Sequence, residues 1–296
     1  MIDQAQKLRE AFSKGGRPAC EEPSPEMRKA GTCGKSIAIT SGKGGVGKTN
    51  ICLSLGITLS MMKKRVLILD ADLGLANIHI LLGVSPAKSL EQYMKNECGL
   101  EQVLIQGPGG VSILPGASGV QSMADLEPLR LGILSRELTA LERHYDFVLI
   151  DTGAGIGRIA TEFASKADMA ILVVTPEPTS LADAYGMVKV LYKKREMPVA
   201  VVVNMASGDA DGKETFDRLN ALVVRFLVKP LTCLAVIPFD KQVGEAVRRQ
   251  TAMSVAHPRT VFAARIQHAS RQLCGLPIAK REGFFSRLLN RSASAL

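Results

Sequence analysis

The stretch Ser36-Ile-Ala-Ile-Thr40, continuing as Ser41-Gly42-Lys43-Gly44-Gly45-Val46-Gly47-Lys48-Thr49, decides how this chain is read. A short β-branched run passes directly into a glycine-rich loop, and the loop passes directly into Asn50-Ile51-Cys52-Leu53-Ser54-Leu55, an apolar run without breakers. Gly42-x-x-x-x-Gly47-Lys48-Thr49 between a strand and a helix is the spacing of a phosphate-binding loop. Glycines at 42, 44, 45 and 47 let backbone N–H groups turn inward without side-chain clashes, and the helix N-terminus adds its partial positive charge. Lys48 is expected to hold the β- and γ-phosphates and Thr49 to ligate Mg²⁺, with Val46 and Asn50 in the same nucleotide-contacting loop. Such a loop does not need the second lysine, Lys43, whose plain reading is a solvated side chain.

Outward from the loop, short runs rich in Val, Ile and Leu alternate with longer helical stretches: RVLILD (65–70), DFVLID (146–151), ADMAILVVT (167–175), PVAVVVN (198–204) and LTCLAVIPF (231–239). Runs apolar on both faces read as strands of a buried parallel sheet. The gaps 125–143, 158–166, 179–195 and 211–228 each leave room for a helix. The expected fold class is therefore α/β, a mostly parallel twisted sheet with helices on both faces. After Pro258, Phe262, Ile266, Ala269 and Leu273 recur at helical spacing, and Gly275 with Pro277 supplies the stop. Asp70 and Asp72 end the second core strand and Asp151 ends another, at the strand ends where open α/β sheets bind ligands. One of the first pair also suits the cap of the following helix.

The 296 residues, 46% hydrophobic and 22% charged, describe a globular chain rather than a disordered one. No apolar stretch approaches membrane-spanning length, and MIDQAQKLRE is too charged for the core of a signal peptide. Six cysteines without a C-x-x-C pair, and four scattered histidines (His79, His144, His257, His268), give no metal-ligand spacing, so no zinc is assigned. A cytoplasmic chain with reduced thiols is the expectation. Of the net charge of +9, the region from Lys241 onward carries most, with ten basic residues against two acidic ones. Residues 13–34, crowded with Gly, Pro, Ser and Glu, read as a flexible linker after an N-terminal segment 1–12.

The form K-G-G-V-G-K-T at 43–49 resembles the deviant Walker A group of P-loop ATPases, the MinD/ParA-type dimeric nucleotide switches. In that group the first lysine reaches the partner subunit's phosphates, which for Lys43 implies an ATP-dependent homodimer cycling between ATP and ADP. The resemblance further implies that Asp72 positions the attacking water, that Asp70 lies near the metal, and that Asp151 is the Walker B aspartate coordinating Mg²⁺. Lys43, Lys48 and Asp72 are thus the expected catalytic set. VVVNMASG and LAVIPFD match positions that hold the adenine, so Asn204, Pro238 and Asp240 are expected to line the base pocket. Asn204 reads equally well as a strand-end turn residue. Within the group, GKGGVGKTN, DADLGLANI, LLGVSP, PEPTSLADAYGMVK and VNMASG are similar to the flagellar-number regulators FleN/FlhG, and Asn50 after GKT fits that group too.

Asp3, Gln4, Ala5, Leu8 and Arg9 fit the D-Q-A-x-x-L-R motif of the same regulators, which implies stimulation of the signal-recognition-type GTPase FlhF; a flagellar transcription regulator is a further implied partner. By analogy with MinD-like proteins, residues 276–296 are expected to form a basic amphipathic membrane-targeting segment. Phe284, Phe285, Leu288 and Leu289 would form its apolar stripe, binding anionic lipid on the inner face of the cell membrane in the ATP state. The plainer alternative is a helix covering its own domain's groove. A ParA-like DNA-partitioning ATPase, with the basic C-terminal region on phosphates, stays open as the alternative function, although no specific nucleic-acid partner is expected.

Overall fold

Strands β1 (Lys35–Thr40), β2 (Val66–Ala71), β5 (Phe147–Thr152), β6 (Met169–Val174), β7 (Val199–Ala206) and β8 (Thr232–Pro238) realise the apolar runs of the sequence, with the short β3 (Ile105–Gln106) and β4 (Ser112–Leu114) added at one edge. The computed structural model describes residues 34–72, 78–115, 128–276 and 283–289, the side chains of 128–131 excepted. The proposed N-terminal motif and the linker up to residue 33 lie outside the described residues, as do Lys280, Arg281 and Arg291. The eight strands form one sheet in the order β3-β4-β2-β5-β1-β6-β7-β8. Every pairing is parallel except β3 with β4.

Period-two alternation inside each run divides the side chains between two cores. Ile37, Ile39, Ile68, Leu149 and Ile171 face one cluster; Ala38, Leu67, Val148, Ile150 and Leu172 face the other. On the first face lie α1 (Lys48–Met61), the short α2 (Ile78–Leu81), α8 (Lys241–Arg248), α9 (Met253–Ala256) and α10 (Val261–Gly275). α10 buries Phe262, Ile266, Ala269 and Leu273, the residues whose spacing announced it. On the other face lie α3 (Leu90–Met94), α4 (Pro128–Glu142), α5 (Arg158–Lys166), α6 (Pro178–Lys194), α7 (Asp209–Leu227) and α11 (Phe284–Leu289). Helices on both faces satisfy the condition under which parallel strands are stable, since neither face meets water.

Helix α11 lies on its own domain, as in the plainer alternative that the sequence left open. Phe284, Phe285 and Leu289 belong to the core against α4 and α5, with Leu288 half-buried beside them. The Phe284 ring lies 6.3 Å from that of Phe163, and Glu142 accepts the backbone N–H groups of Phe284 at 2.8 Å and Phe285 at 3.2 Å. A groove that offers both apolar walls and an acceptor for the first N–H groups of the helix competes with water for the stripe and wins in this conformation. Among the described residues no helix is long and apolar enough to cross a membrane.

Candidate functional site

β1 is central in the sheet, between β5 and β6, so the loop at its carboxyl end opens at a crevice between neighbouring strands. Gly47 ends that loop with φ +86 and precedes α1 as its N-cap. A Cβ there would stand 2.4 Å from the amide nitrogen of Asn204, so two reasons at once require glycine. Gly42 is fixed by approach rather than by angle, since its Cβ would meet the Asp183 backbone at 2.3 Å. The Ser41 hydroxyl donates to the Lys43 carbonyl at 2.8 Å, and the Gly155 N–H donates to the Ser41 carbonyl at 3.0 Å. The second bond ties the loop after Asp151 to the phosphate loop.

Lys48 is buried and its Nζ donates to Asp151 Oδ1 at 3.1 Å; Asp151 also receives the Thr49 hydroxyl. Strand register sets Asp70 directly beside Asp151 across β2 and β5. Two carboxylates so placed in a dry strand end are costly as anions. Burial, with Asp151 adding, pushes the Asp70 carboxyl up to about 6, and burial raises Asp151 against the pull of Lys48 and Thr49. Asp70 also accepts the Ile78 N–H at 3.3 Å and the Asp72 N–H at 3.2 Å, which makes it the local cap that the sequence left open. Asp72 stands half-buried in the wall of a cleft of about 450 Å³ lined by Ser41, Gly44, Gly47, Lys48, Thr49 and Ala154.

An adjoining cleft of about 440 Å³ shares Gly47, Asn50 and Met205 with the first and continues along Asn204, Pro238, Phe239 and Asp240. Asn204 is a buried residue of β7 rather than a turn residue, and its Nδ2 donates to the Val46 carbonyl at 2.8 Å. Because that carbonyl can only accept, the amide nitrogen is committed to the loop and Oδ1 is left as the acceptor. Asp240 lines the cleft but spends its carboxylate on capping α8, taking the Gln242 N–H at 2.9 Å. Met205, held at φ 57, and Phe239, 63% exposed, were missed by the sequence reading: apolar residues at strand ends carry no motif.

The two clefts fit a nucleotide. The glycine-rich loop and the buried Lys48 would make the phosphate side; the Asn204 acceptor and the apolar Met205 and Phe239 would make the base side. For Mg²⁺, no three His, Cys, Asp or Glu side chains converge as a cage among the described residues. Thr49 and Asp151 supply the one-hydroxyl, one-carboxylate set that Mg²⁺ uses together with waters and phosphate oxygens. The buried, elevated carboxyl pair at 70 and 151 is the kind of strain a divalent cation relieves.

The profile of the CobQ/CobB/MinD/ParA nucleotide binding domain family matches residues 37–253. The antiactivator FleN of Pseudomonas aeruginosa is 38% identical over 264 residues, spanning 87% of this chain and 94% of FleN. The flagellum site-determining protein YlxH of Helicobacter pylori is 30% identical over 268 residues, spanning 86% and 90%. The septum site-determining protein MinD complexed with Mg-ADP from Pyrococcus horikoshii shares the fold with a TM-score of 0.64 at 27% identity, covering 81% of this chain and 95% of that one. With a phosphate loop carrying both lysines, a buried aspartate pair and these relatives, the chain belongs to the MinD/ParA-type P-loop ATPases.

Proposed function

We propose that this protein is an ATP-hydrolysing dimerisation switch that regulates flagellar number or placement, passing between an ADP-bound monomer and an ATP-bound dimer. The observation that carries the reading is the division of labour between the two loop lysines. Lys48 is buried on Asp151 inside the phosphate cleft, whereas the Lys43 ammonium is held at the rim by Glu177 and Thr179. An exposed lysine there can be exchanged to serve a second subunit. Ile80, Ile156, Ile159, Met205 and Phe239, all exposed at the same end of the sheet, suit an interface that closes over the nucleotide. ATP and Mg²⁺ are the ligands this reading requires, Mg²⁺ neutralising phosphate charge when bound. Lys48 holds phosphate, Thr49 and Asp151 hold the cation, and Asp72 orients water for attack. Asn204 Oδ1 accepts the amino group of adenine and disfavours the carbonyl of guanine.

The flagellar assignment rests on the relatives FleN and YlxH, aligned over most of both chains. The partner GTPase FlhF, engaged through Asp3, Gln4, Ala5, Leu8 and Arg9, and a flagellar transcription regulator belong to the same proposal. So does attachment to the inner face of the cell membrane: α11 would leave its groove in the ATP dimer and present Phe284, Phe285, Leu288 and Leu289 to anionic lipid. Two marginal anchors in one dimer bind far better than one. Sedimentation of the purified chain with ADP, with ATP and with anionic liposomes tests the whole cycle. An ATP-dependent dimer that pellets with lipid supports it; a monomer in both nucleotides overturns it.

Exposed Lys241, Arg248, Arg249, Arg259 and Arg271 on and around α8–α10 favour a second reading, a ParA-like contact with DNA phosphates. Steeply salt-dependent DNA binding by the ATP form would select it.

A further inference from the structure

Lys43 is not simply solvated. Its Nζ donates to Glu177 Oε2 and, at 3.1 Å, to Thr179 Oγ1 of its own chain. Both acceptors stand at the N-terminus of α6, where Glu177 is the N-cap and Pro178 the first helical residue. The N-terminal end of a helix carries partial positive charge, so an ammonium placed there is disfavoured unless an anion compensates it. Glu177 is that anion. Its side chain makes no capping hydrogen bond to α6, so the carboxylate has no helical duty and is committed to the lysine. The pair is well exposed, 39% for Lys43 and 60% for Glu177, so it is exchangeable rather than locked.

From this geometry we propose that Glu177 is a positioning residue that parks Lys43 in its own subunit and so sets the protein concentration at which the ATP dimer forms. The inference rests on the reading above, in which Lys43 crosses to the partner's phosphates. To cross, the ammonium leaves Glu177 and Thr179, and a symmetric dimer breaks this contact twice. An exposed pair shifts an equilibrium by about twofold to fivefold, so two such pairs shift dimerisation by about fourfold to twenty-five-fold. Neutralising the carboxylate while keeping its shape removes the hold and leaves the cap intact.

The test is sedimentation velocity of the full-length chain over a concentration series with Mg²⁺ and a non-hydrolysable ATP analogue. Glu177→Gln is expected to lower the dimer Kd by that fourfold to twenty-five-fold. Glu177→Asp, which restores the charge, is expected to return it towards wild type. The Lys43→Ala/Glu177→Gln double variant is expected to remain as monomeric as Lys43→Ala alone, because Glu177 acts only through the lysine. An unchanged or weakened Glu177→Gln dimer, beside a wild type that dimerises normally, overturns this inference and leaves the switch reading standing. A double variant that dimerises overturns it as well. A wild type that stays monomeric overturns the switch reading and this inference together. Thermal unfolding of each variant accompanies the series, and a Glu177→Asp protein of wild-type stability that fails to restore the Kd also counts against the proposal.

Discussion

The two ends of the central strands treat polarity in opposite ways. At the amino ends, most buried polar groups find partners within the chain, although Arg287 Nε is buried without one among the described residues and burial raises the Glu142 carboxyl. Asp168 Oδ2 accepts the Ser36 N–H at 3.0 Å and the Ser36 hydroxyl at 2.7 Å, Arg287 pairs with Asp168 and donates from its other terminal nitrogen to Ser36 Oγ at 2.9 Å, and Glu142 takes two N–H groups of α11. At the carboxyl ends, Thr40 Oγ1 and Thr175 Oγ1 are buried without a hydrogen-bond partner among the described residues, and Asp70 and Asp151 lie side by side with raised pKa values. Each unsatisfied buried group costs about 1–3 kcal/mol. The amino end is the more fully paired; the carboxyl end leaves a close carboxyl pair and two buried hydroxyls that a ligand would serve, as expected where local rules give way to function.

The contrast breaks most sharply if the carboxyl end is not a nucleotide site. Lys48→Ala is expected to weaken ADP binding by at least about a hundredfold, read by calorimetry, since the buried phosphate partner is lost. Asp72→Ala should lower ATP turnover by about a hundredfold or more, the scale of a lost general base, while the ATP dimer persists in sedimentation. Normal turnover by that variant would remove Asp72 from the chemistry.

At the amino end the expected effect is on stability and not on nucleotide affinity. Phe284→Ala should cost about 3 kcal/mol in urea unfolding while leaving ADP affinity at the wild-type value. A change in ADP affinity would show the two ends to be coupled without a partner. Glu142→Ala, which strips the acceptor from the start of α11, should cost about 1–2 kcal/mol and raise liposome binding in the absence of ATP. Release of α11 with no gain in lipid binding would move the anchor elsewhere.

The smallest effect concerns pH. The folded Asp70 carboxyl titrates at about 6, above the unfolded value of 3.8, so the native state binds the extra proton between those values. Stability from this group is therefore lost as pH rises through that window. Asp70→Asn removes the penalty, and its gain in unfolding free energy of the nucleotide-free protein should be about 1 kcal/mol larger at pH 7.5 than at pH 5. An equal gain at both values would mean that Asp70 does not titrate in the native state.

Much of this was legible beforehand for identifiable reasons. The helices at 128–142, 158–166, 178–194 and 209–227 match the gaps assigned to them to within a few residues, because strands buried on both faces demand a covering helix between each parallel pair. The strands β3 and β4, of two and three residues, escaped notice because a run that short shows no period. The stripe at 284–289 meets the core of its own domain in this structure, but amphipathicity specifies only that an apolar face is covered, whether by lipid or by protein.

The sequence by itself determined the phosphate loop, the two lysines and the parallel α/β plan, because these are local: glycines at fixed spacing, a helix start, and β-branched runs of strand length. Only the tertiary structure decided which strands are neighbours, and with that every relation across the site. Register set Asp70 against Asp151, the approach of β7 put Asn204 on the Val46 carbonyl, and the start of α6 brought Glu177 to Lys43 from 134 residues away. It decided the fate of α11 as well, through Glu142, which is 142 residues distant from the N–H of Phe284 that it accepts. Contacts of that separation are fixed by the packing of whole elements, whose free energy no short window of residues contains.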